Sequence, residues 1–203
     1  GFYVAEGGGG DISNSDVTIV SWLKKYIEHR FGYIPSVYED RRRVDICYNI
    51  SIRKIVRSLL GGLYETNAGT KYIPEEVLLG NKDVITNFLA GYFDGDAHCP
   101  ESGTVELSTK SEALAQGLSY LLLRLGISCT ASQKTVDGDI FHRLFISGKQ
   151  RELLNTLPFK IKKANYKIRN AKYGYPLPII EHIADTYKKV LGANRGSTRK
   201  KIG

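Results

Sequence analysis

Residues 89–97 read Leu-Ala-Gly-Tyr-Phe-Asp-Gly-Asp-Ala, and residues 1–7 read Gly-Phe-Tyr-Val-Ala-Glu-Gly. Aligned on their glycines, both stretches have two large apolar residues, one variable residue, a small residue, an acid and a small residue. Glu6 and Asp96 therefore occupy the same position. Two copies of one helix that each end in a carboxylate predict a duplicated chain that brings two acids together. Paired acids are one way to hold a divalent metal ion against a phosphate.

Further matches support the duplication, which should be sought early in any sequence. The apolar-periodic runs 17–32 and 111–126 both end in Arg, a large apolar residue and Gly. Asn49-Ile50-Ser51 and Phe145-Ile146-Ser147 each precede a helical run. The offset is 90 residues at the two acids, 94 at the second match and 96 at the third. A slow drift with preserved order is what loop insertions do to a repeat.

The predicted elements are mixed. Alternation of Val44, Ile46, Tyr48 and Ile50 with polar residues indicates a half-buried strand. Asp137-Gly138, between two strand-like runs, indicates a hairpin. In the first half we predict helices at 1–6, 16–31 (capped by Asn14 or Ser15) and 51–63, strands near 34–39 and 43–50, and then a short helix from Pro74. In the second half we predict helices at 82–95, 111–125 and 148–156, and strands at 103–109, 128–135 and 139–146.

The stretch LAGYFDGDA resembles the signature of the LAGLIDADG homing endonucleases, and GFYVAEG resembles a first copy that lacks two leading residues. The resemblance implies an α+β fold of two pseudo-symmetric αββαββα repeats, with paired central helices and saddle-shaped antiparallel sheets, in a monomeric pseudo-dimer. We expect repeat 1 over 1–80, repeat 2 over 81–158 and a basic extension over 159–203. The motif form and the extension resemble an intein-encoded enzyme within a larger precursor, although the chain as written lacks splicing residues at its ends.

The motif has a direct physical interpretation. Gly91 and its small neighbours let two helices approach closely, while Leu89, Tyr92 and Phe93 pack into the core. Adjacent carboxylates would repel and raise a pKa unless cations lie between them. Mg²⁺, with its preference for oxygen ligands, fits this role, and Mn²⁺ is a possible substitute. The resemblance implies that metal binds Glu6 and Asp96 with the backbone carbonyls of Ala5 and Gly95, and that the two DNA strands are cut across one minor groove.

The resemblance also implies a basic residue near each active centre. Lys149 is the favoured candidate for a catalytic role, and Arg53, Lys110 and Arg143 are the others. Asp94 occupies the variable position of the motif, so we expect it to cap a turn or to face solvent. His98-Cys99 lies beside the acid, but the remaining histidines show no spacing that would complete a zinc site.

The charge of the chain is unevenly placed. The net charge is +8, yet residues 159–203 carry +10 and residues 1–158 carry −2. A solvated basic tail would look the same, but beside two nuclease-like motifs double-stranded DNA is the natural partner. If the sheets lie in the major groove, polar residues on their strands read bases. The predicted DNA contacts are Arg41, Arg43, Arg53, Ser108, Lys110, Gln133, Lys134, Arg143, Lys160, Lys162, Lys163 and Lys167.

Composition excludes several classes of protein. With 203 residues, 42% hydrophobic and 25% charged, the chain is long and apolar enough to form a globular core. No apolar run approaches a membrane span. Three scattered cysteines suggest reduced thiols and an intracellular location.

The predicted function is therefore that of a site-specific, metal-dependent DNA homing endonuclease that hydrolyses phosphodiester bonds. A DNA- or RNA-binding protein of the same fold without nuclease activity, such as an intron maturase or a transcription regulator, is the competing hypothesis. A purely structural two-repeat interaction domain would leave the paired acids and the basic extension unexplained.

Overall fold

The computed structural model describes residues 1–40, 46–100 and 103–160. These residues all belong to one compact unit, Gly1–Arg169. They form two antiparallel sheets, each covered by helices, on either side of a pair of packed helices. Over the described residues, no helix is long and apolar enough to cross a bilayer.

The first repeat is built from short elements. Its helices are α1 (Phe2–Glu6), α2 (Val17–Phe31), α3 (Arg53–Leu59) and α4 (Gly61–Tyr64), and its strands are β1 (Gly7–Gly8), β2 (Asp11–Asn14), β3 (Ser36–Glu39) and β4 (Tyr48–Ser51). The strand order in the sheet is β1-β2-β4-β3.

The second repeat has longer elements. After a short helix α5 (Glu75–Leu78), it comprises the central helix α6 (Lys82–Asp96), β5 (Val105–Thr109), α7 (Glu112–Arg124), β6 (Thr130–Val136), β7 (Asp139–Ile146) and α8 (Gln150–Leu153), followed by a 3₁₀ turn at Leu154–Thr156. The strand order is β5-β7-β6. The hairpin at Asp137-Gly138 is confirmed, and both residues have the positive φ of 50° and 85° that a tight two-residue turn requires.

The helix-ending matches in the sequence have a common structural basis. Gly32 follows α2 and Gly126 follows α7, and both adopt left-handed backbone, with φ of 59° and 77°. Glycine tolerates this conformation without a Cβ penalty, which is why it commonly terminates helices. The two Arg-apolar-Gly endings are therefore the same stop signal in the two repeats.

Two apolar clusters hold the unit together. The larger centres on α6, whose Leu89, Tyr92 and Phe93 are fully buried, and it includes α7 and the inner faces of β5 and β7. The smaller is formed by seven buried residues of the first repeat: Ile12, Val20, Leu23, Ile27, Ile50, Ile52 and Val56. The order of helices and strands in the second repeat, and the packing of α6, are as the sequence predicted.

Repeat 1 departs from the predictions at several points. The cap of α2 is Asp16, whose carboxylate accepts from the backbone of Thr18 and Ile19, rather than Asn14 or Ser15. The predicted strand at 43–50 is described only over Tyr48–Ser51, and Ile46 is exposed because it precedes this strand. Sequence reasoning also missed β1 and β2, since the glycines of β1 and the aspartate and asparagine of β2 carry little strand signal.

The predicted helix at 51–63 is interrupted. It splits into α3 and α4 at Leu60, whose φ of −135° is not helical.

Buried Asn49 explains why the alternation in β4 was misleading: its side chain accepts a hydrogen bond from Ser13 on β2 at 2.5 Å. A polar residue at a buried position is tolerated when it is hydrogen-bonded.

Candidate functional site

The first feature of the site is the contact between α1 and α6. A Cβ placed on Gly91 would lie 3.0 Å from the backbone nitrogen of Phe2, and one placed on Gly95 would lie 2.5 Å from the Cβ of Ala5. The two helices therefore pack with almost no side-chain material between their backbones, as the paired glycines predicted. This close approach brings the C-terminal ends of the two helices, and the acids on them, to one place.

Glu6 and Asp96 are the final residues of α1 and α6. The Cβ position of Gly95 lies 3.6 Å from Oε1 of Glu6, which places the carboxylate of one helix against the backbone of the other. Glu6 is half-buried and Asp96 is exposed. Both carboxylates thus lie at the edge of the core, and Asp96 lies at the surface.

A lysine that sequence reasoning missed completes the group. Lys71 lies in the connection between α4 and α5, and its Nζ donates to the carbonyl oxygen of Ala5 at 2.9 Å. Burial lowers the pKa of Lys71, and the negative charges of Asp96 and Glu6 act in the opposite direction. The ammonium group therefore lies in the field of both acids and compensates part of their mutual repulsion.

The second repeat fixes the backbone around Lys71. Ser111, which is buried, donates from Oγ to the carbonyl oxygen of Lys71 at 2.5 Å and also caps α7 by accepting from the backbone of Leu114 at 3.2 Å. Ile73 packs against Gly117 of α7, where a Cβ would lie 2.9 Å from Cδ1 of Ile73. Lys71 therefore belongs to repeat 1 in the sequence, but residues of repeat 2 hold its backbone in place.

Tyr92 lies one helical turn before Asp96. Its hydroxyl is fully buried, and burial raises the pKa of Tyr92, with the nearby Asp96 charge adding to the rise. The phenol therefore stays protonated at all ordinary pH values. It offers a neutral neighbour to Asp96 and adds no further negative charge to the site.

The donor set fits a hard divalent cation. Two carboxylates and the adjacent peptide carbonyls supply only oxygen, which Mg²⁺ and related ions prefer. The described residues contain no group of three or more His, Cys, Asp or Glu side chains that could hold a metal ion. Ala5, one of the carbonyls implicated by sequence, already accepts the hydrogen bond from Lys71.

Asp94 has a defined structural role. It is buried, so the expectation that it faces solvent is wrong, and its Oδ2 accepts from the backbone nitrogen of Lys160 at 2.8 Å. The aromatic rings of Phe93 and Phe159 also pack together, with centroids 6.1 Å apart. Asp94 therefore accepts a backbone hydrogen bond, as a capping residue does, but the donor belongs to the start of the basic extension and not to its own helix.

The predicted DNA contacts fall on different surfaces. The outer face of the β5-β7-β6 sheet carries four of them: Ser108, Lys110, Lys134 and Arg143. Along the strands this face alternates with the inner face, where Leu107 and Leu144 are buried. Gln133 is on the opposite face, beside α7, as its position next to Lys134 in a strand requires. Arg53 is exposed at the start of α3. Arg41, Arg43, Lys162, Lys163 and Lys167 lie outside the described residues.

Among the residues that the structure describes, no hydrogen bond or ion pair joins Lys149 to Glu6 or Asp96. Lys149 is exposed just before α8, and within residues 1–40, 46–100 and 103–160 its side chain makes no hydrogen bond or ion pair. Lys71, by contrast, contacts the motif directly. No local pattern around Lys71 could have revealed this, because its role depends on how the connection folds back on α7.

Comparisons with known proteins agree with this geometry. Residues 83–156 match the family described as a LAGLIDADG-like domain. The chain is 34% identical over 184 residues to a DNA polymerase of Thermococcus sp. (strain GE8), a match that covers 90% of this chain and 10% of that protein. It is also 34% identical over 93 residues to a component of the A-type ATP synthase of Pyrococcus abyssi, covering 45% of this chain and 9% of that protein.

The chain thus spans about a tenth of the length of these curated relatives. A DNA polymerase and an ATP synthase have different activities, so the shared segment is not what makes either of them a polymerase or an ATP synthase. The same segment within unrelated host proteins is the distribution of an intein-type insert.

The fold is also similar to that of solved structures. The homing endonuclease I-DmoI in complex with DNA and Mn superposes with a TM-score of 0.55 at 15% identity, over 72% of this chain and 78% of that one. At this level of identity the similarity concerns the fold. It confirms the predicted α+β architecture with two antiparallel sheets.

Proposed function

We propose that this chain, an intein-type LAGLIDADG protein with the homing-endonuclease fold, is a site-specific endonuclease. It would cut both strands of duplex DNA with the help of a divalent metal ion. The single observation that supports this most strongly is the convergence of Glu6, Asp96 and Lys71 at the ends of two closely packed helices. The chain would act as a monomer, inside the cell and as part of a larger precursor.

The residues of the site have separable roles in this proposal. Glu6 and Asp96 hold the metal ion, with Ala5 and Gly95 carbonyls as further candidates. When bound, such an ion activates a water molecule and stabilises the leaving oxygen of the phosphodiester. Solved structures of I-DmoI with Mn, Ca and Mg make a divalent ion plausible here, and we propose Mg²⁺ as the natural one and Mn²⁺ as a substitute.

Lys71 supplies positive charge beside both acids. Its half-buried side chain donates to the carbonyl oxygen of Ala5, and its positive charge interacts with the negative charges of Asp96 and Glu6. A fixed positive charge in a partly desolvated site stabilises negative charge that develops on a phosphate. We propose Lys71, in place of Lys149, as the principal basic residue of the reaction.

A randomised duplex library tests the function. The wild type, Asp96→Asn and Glu6→Gln would be incubated with the library in Mg²⁺ for cleavage and in Ca²⁺ for binding, and the products sequenced. We expect the wild type to release fragments with a common sequence at their ends, and both variants to bind the same sequence without cutting it.

Two results would contradict the proposal. If the wild type enriches a sequence but cuts nothing in Mg²⁺ or Mn²⁺, the chain is a binding protein and not a nuclease. If it enriches no DNA but stimulates splicing of an intron RNA, the maturase hypothesis replaces this one.

A further inference from the structure

Each sheet carries, at a matching place, one acid that is paired with an arginine. Asp11 of β2 lies opposite Gly8, the second residue after Glu6, and Glu106 of β5 lies opposite His98, the second residue after Asp96. Asp11 binds Arg53, and Glu106 binds Arg143, in both cases through two hydrogen bonds. The acids therefore occupy matching places near the two proposed metal-binding acids, whereas the arginine comes from strand β7 in repeat 2 and from the start of α3 in repeat 1.

The pair in the second repeat is the more tightly held. Nε and Nη2 of Arg143 donate to Oε1 and Oε2 of Glu106 at 2.5 and 2.7 Å, which is the bidentate arrangement of guanidinium and carboxylate. The guanidinium carbon also lies 4.8 Å from the centre of the Phe145 ring. The planar group is thus fixed along one edge by Glu106 and on one face by Phe145.

The remaining edge of Arg143 is unused. Nη1 has no hydrogen-bond partner among the residues that the structure describes, and Nη2 uses one of its two hydrogens on Glu106. The end of the guanidinium therefore keeps two parallel N–H donors. Such a fork matches the O6 and N7 acceptors that guanine presents in the major groove.

The position of the pair is also fixed. Arg143 lies opposite Ser108 on β5 and Ser132 on β6, on the outer face of the sheet, where small side chains leave room around it. Glu106 is joined to His98 by two backbone hydrogen bonds of 2.9 and 3.0 Å. Since His98 is only two residues beyond Asp96, the fork lies beside the end of α6 that carries this acid.

We propose that Glu106 orients Arg143 to read one guanine in the major groove close to the cleavage position, which makes Arg143 a specificity-determining residue and Glu106 its positioning residue. This inference rests on the proposed DNA function and deepens it. A guanidinium that is held in place loses less conformational entropy on binding than a free one, so its preference for guanine is sharpened.

The first repeat provides the contrast. Arg53 donates to Asp11 at 3.3 and 3.2 Å, its side chain is 56% exposed, and Asp11 also accepts from Tyr38 at 2.6 Å. For the Glu106–Arg143 pair the exposed fractions are 23% and 29%. Arg53 is thus less constrained, and we expect a weaker base preference on that side of the site.

Selection from randomised duplexes in Ca²⁺, followed by sequencing, tests this inference. The proteins compared are the wild type, Arg143→Lys, Glu106→Gln and, as a matched basic residue on the same face, Lys134→Gln. We expect the wild type to require guanine at a position near the centre of its site. Arg143→Lys should lower that preference about 10- to 100-fold at this position alone, since lysine keeps the charge but lacks the fork.

Glu106→Gln should lower the same preference by a smaller factor, and Lys134→Gln should weaken binding to all sequences equally while reducing its salt dependence. Unchanged preference in Arg143→Lys would overturn the inference. So would tighter binding of Glu106→Gln to every sequence, because Glu106 would then mask Arg143. If the wild type enriches no sequence, the DNA function itself fails, and this result is distinct from the other two. Thermal melting of each variant confirms that it is folded, and Glu106→Asp replaces Glu106→Gln if the latter is not.

Discussion

The two repeats share one plan but differ in how firmly they are built. Strands β2, β3 and β4 have four residues each, whereas β5, β6 and β7 have five, seven and eight. The apolar cluster of the second repeat also extends to Val4 and Ala5 of α1, a helix that belongs to the first. The end of α1 that carries Glu6 is therefore stabilised largely by the core of repeat 2.

This difference separates two requirements of the fold. The close helix pair needs the glycines of both motifs, so it is symmetric. The cores need only support that pair, and one large core can do most of this work. We therefore expect substitutions in equivalent places to have unequal effects, and we order the following predictions by the free energy that each change should involve.

The largest effect should come from truncating the cores at matched positions. Ile50 of β4 and Ile146 of β7 are both fully buried and occupy equivalent places in the two repeats. Removing such a side chain leaves a cavity whose cost depends on how far the surroundings collapse. We expect Ile146→Ala to lower the free energy of unfolding by about 4 kcal/mol and Ile50→Ala by about 2 to 3 kcal/mol. Urea denaturation of both variants measures this, and an inverted order would contradict the comparison.

The next effect concerns the lysines of the two halves. Lys71 contacts the motif, whereas Lys149 of the second repeat is exposed and makes no side-chain bond with the described residues. We expect Lys71→Met to slow cleavage about 100-fold, which corresponds to about 2.7 kcal/mol in the barrier, because it removes a fixed charge near the phosphate. Single-turnover cleavage rates at saturating protein measure this effect.

Lys149→Met is the matched control and should stay within about threefold of the wild-type rate, less than about 1 kcal/mol. Equal loss in both variants would show that Lys71 has no special position. Ser111→Ala, which removes the hydrogen bond to the Lys71 carbonyl, should give an intermediate rate without loss of DNA binding.

A smaller effect is expected at the helix contact. Gly95→Ala would place a Cβ 2.5 Å from that of Ala5, so the helices must move apart. We expect a loss of about 2 kcal/mol in stability, in the range for overpacked sites. Gly61→Ala, whose new Cβ meets nothing within 4 Å, should be neutral or stabilise by up to about 1 kcal/mol. Thermal unfolding of the two variants measures these changes in stability. Similar losses in both would show that helix propensity, and not the close helix contact, determines the loss of stability.

The smallest effect is a dependence on pH. The hydrogen bond from Arg143 lowers the pKa of Glu106. Burial alone would raise the pKa of Asp11, but hydrogen bonds from Tyr38, Arg53 and Ser51 outweigh it, so the pKa of Asp11 is also lowered. Below about pH 4 the unfolded carboxylates bind more protons than the folded ones, so this stabilisation is present above that pH and is lost as pH falls through the folded pKa.

The melting temperatures of wild type and Glu106→Gln should therefore differ at pH 7 and converge toward pH 2. The same comparison with Asp11→Asn tests whether the looser pair of repeat 1 contributes less. A difference that stays constant over the whole range would show that Glu106 acts through packing and not through its charge.

Much of this arrangement could be predicted from sequence because it is local. The positions of Glu6 and Asp96, the ends of α2 and α7 at Gly32 and Gly126, and the Asp137-Gly138 hairpin are each encoded within a few residues. The acids were also found from the repeat itself, since one motif identifies the other.

The rest depends on contacts between distant segments. Lys71 reaches Ala5 because the segment around it packs on α7, where Ser111 binds its carbonyl oxygen and Gly117 contacts Ile73. No residue close to Lys71 in the sequence indicates this packing. The β1-β2 hairpin, whose strands consist mainly of Gly, Asp, Ser and Asn, has low strand propensity, and its β2 strand is stabilised by pairing with β4. The sequence likewise left open whether Asp94 caps a turn or faces solvent, because its partner, the backbone of Lys160, is 66 residues away.

The bond between Asp94 and Lys160 has a practical consequence for engineering. Because the first residues of the basic extension are hydrogen-bonded and packed onto α6, a shortened or fused protein should be divided after Lys160 and not at the end of repeat 2. A junction placed earlier would take this backbone donor away from a buried carboxylate that lies only two residues from Asp96. Val4 stands at the corresponding position of the first motif, so exchanging the two central helices would move the bond to the basic extension together with the proposed metal ligand.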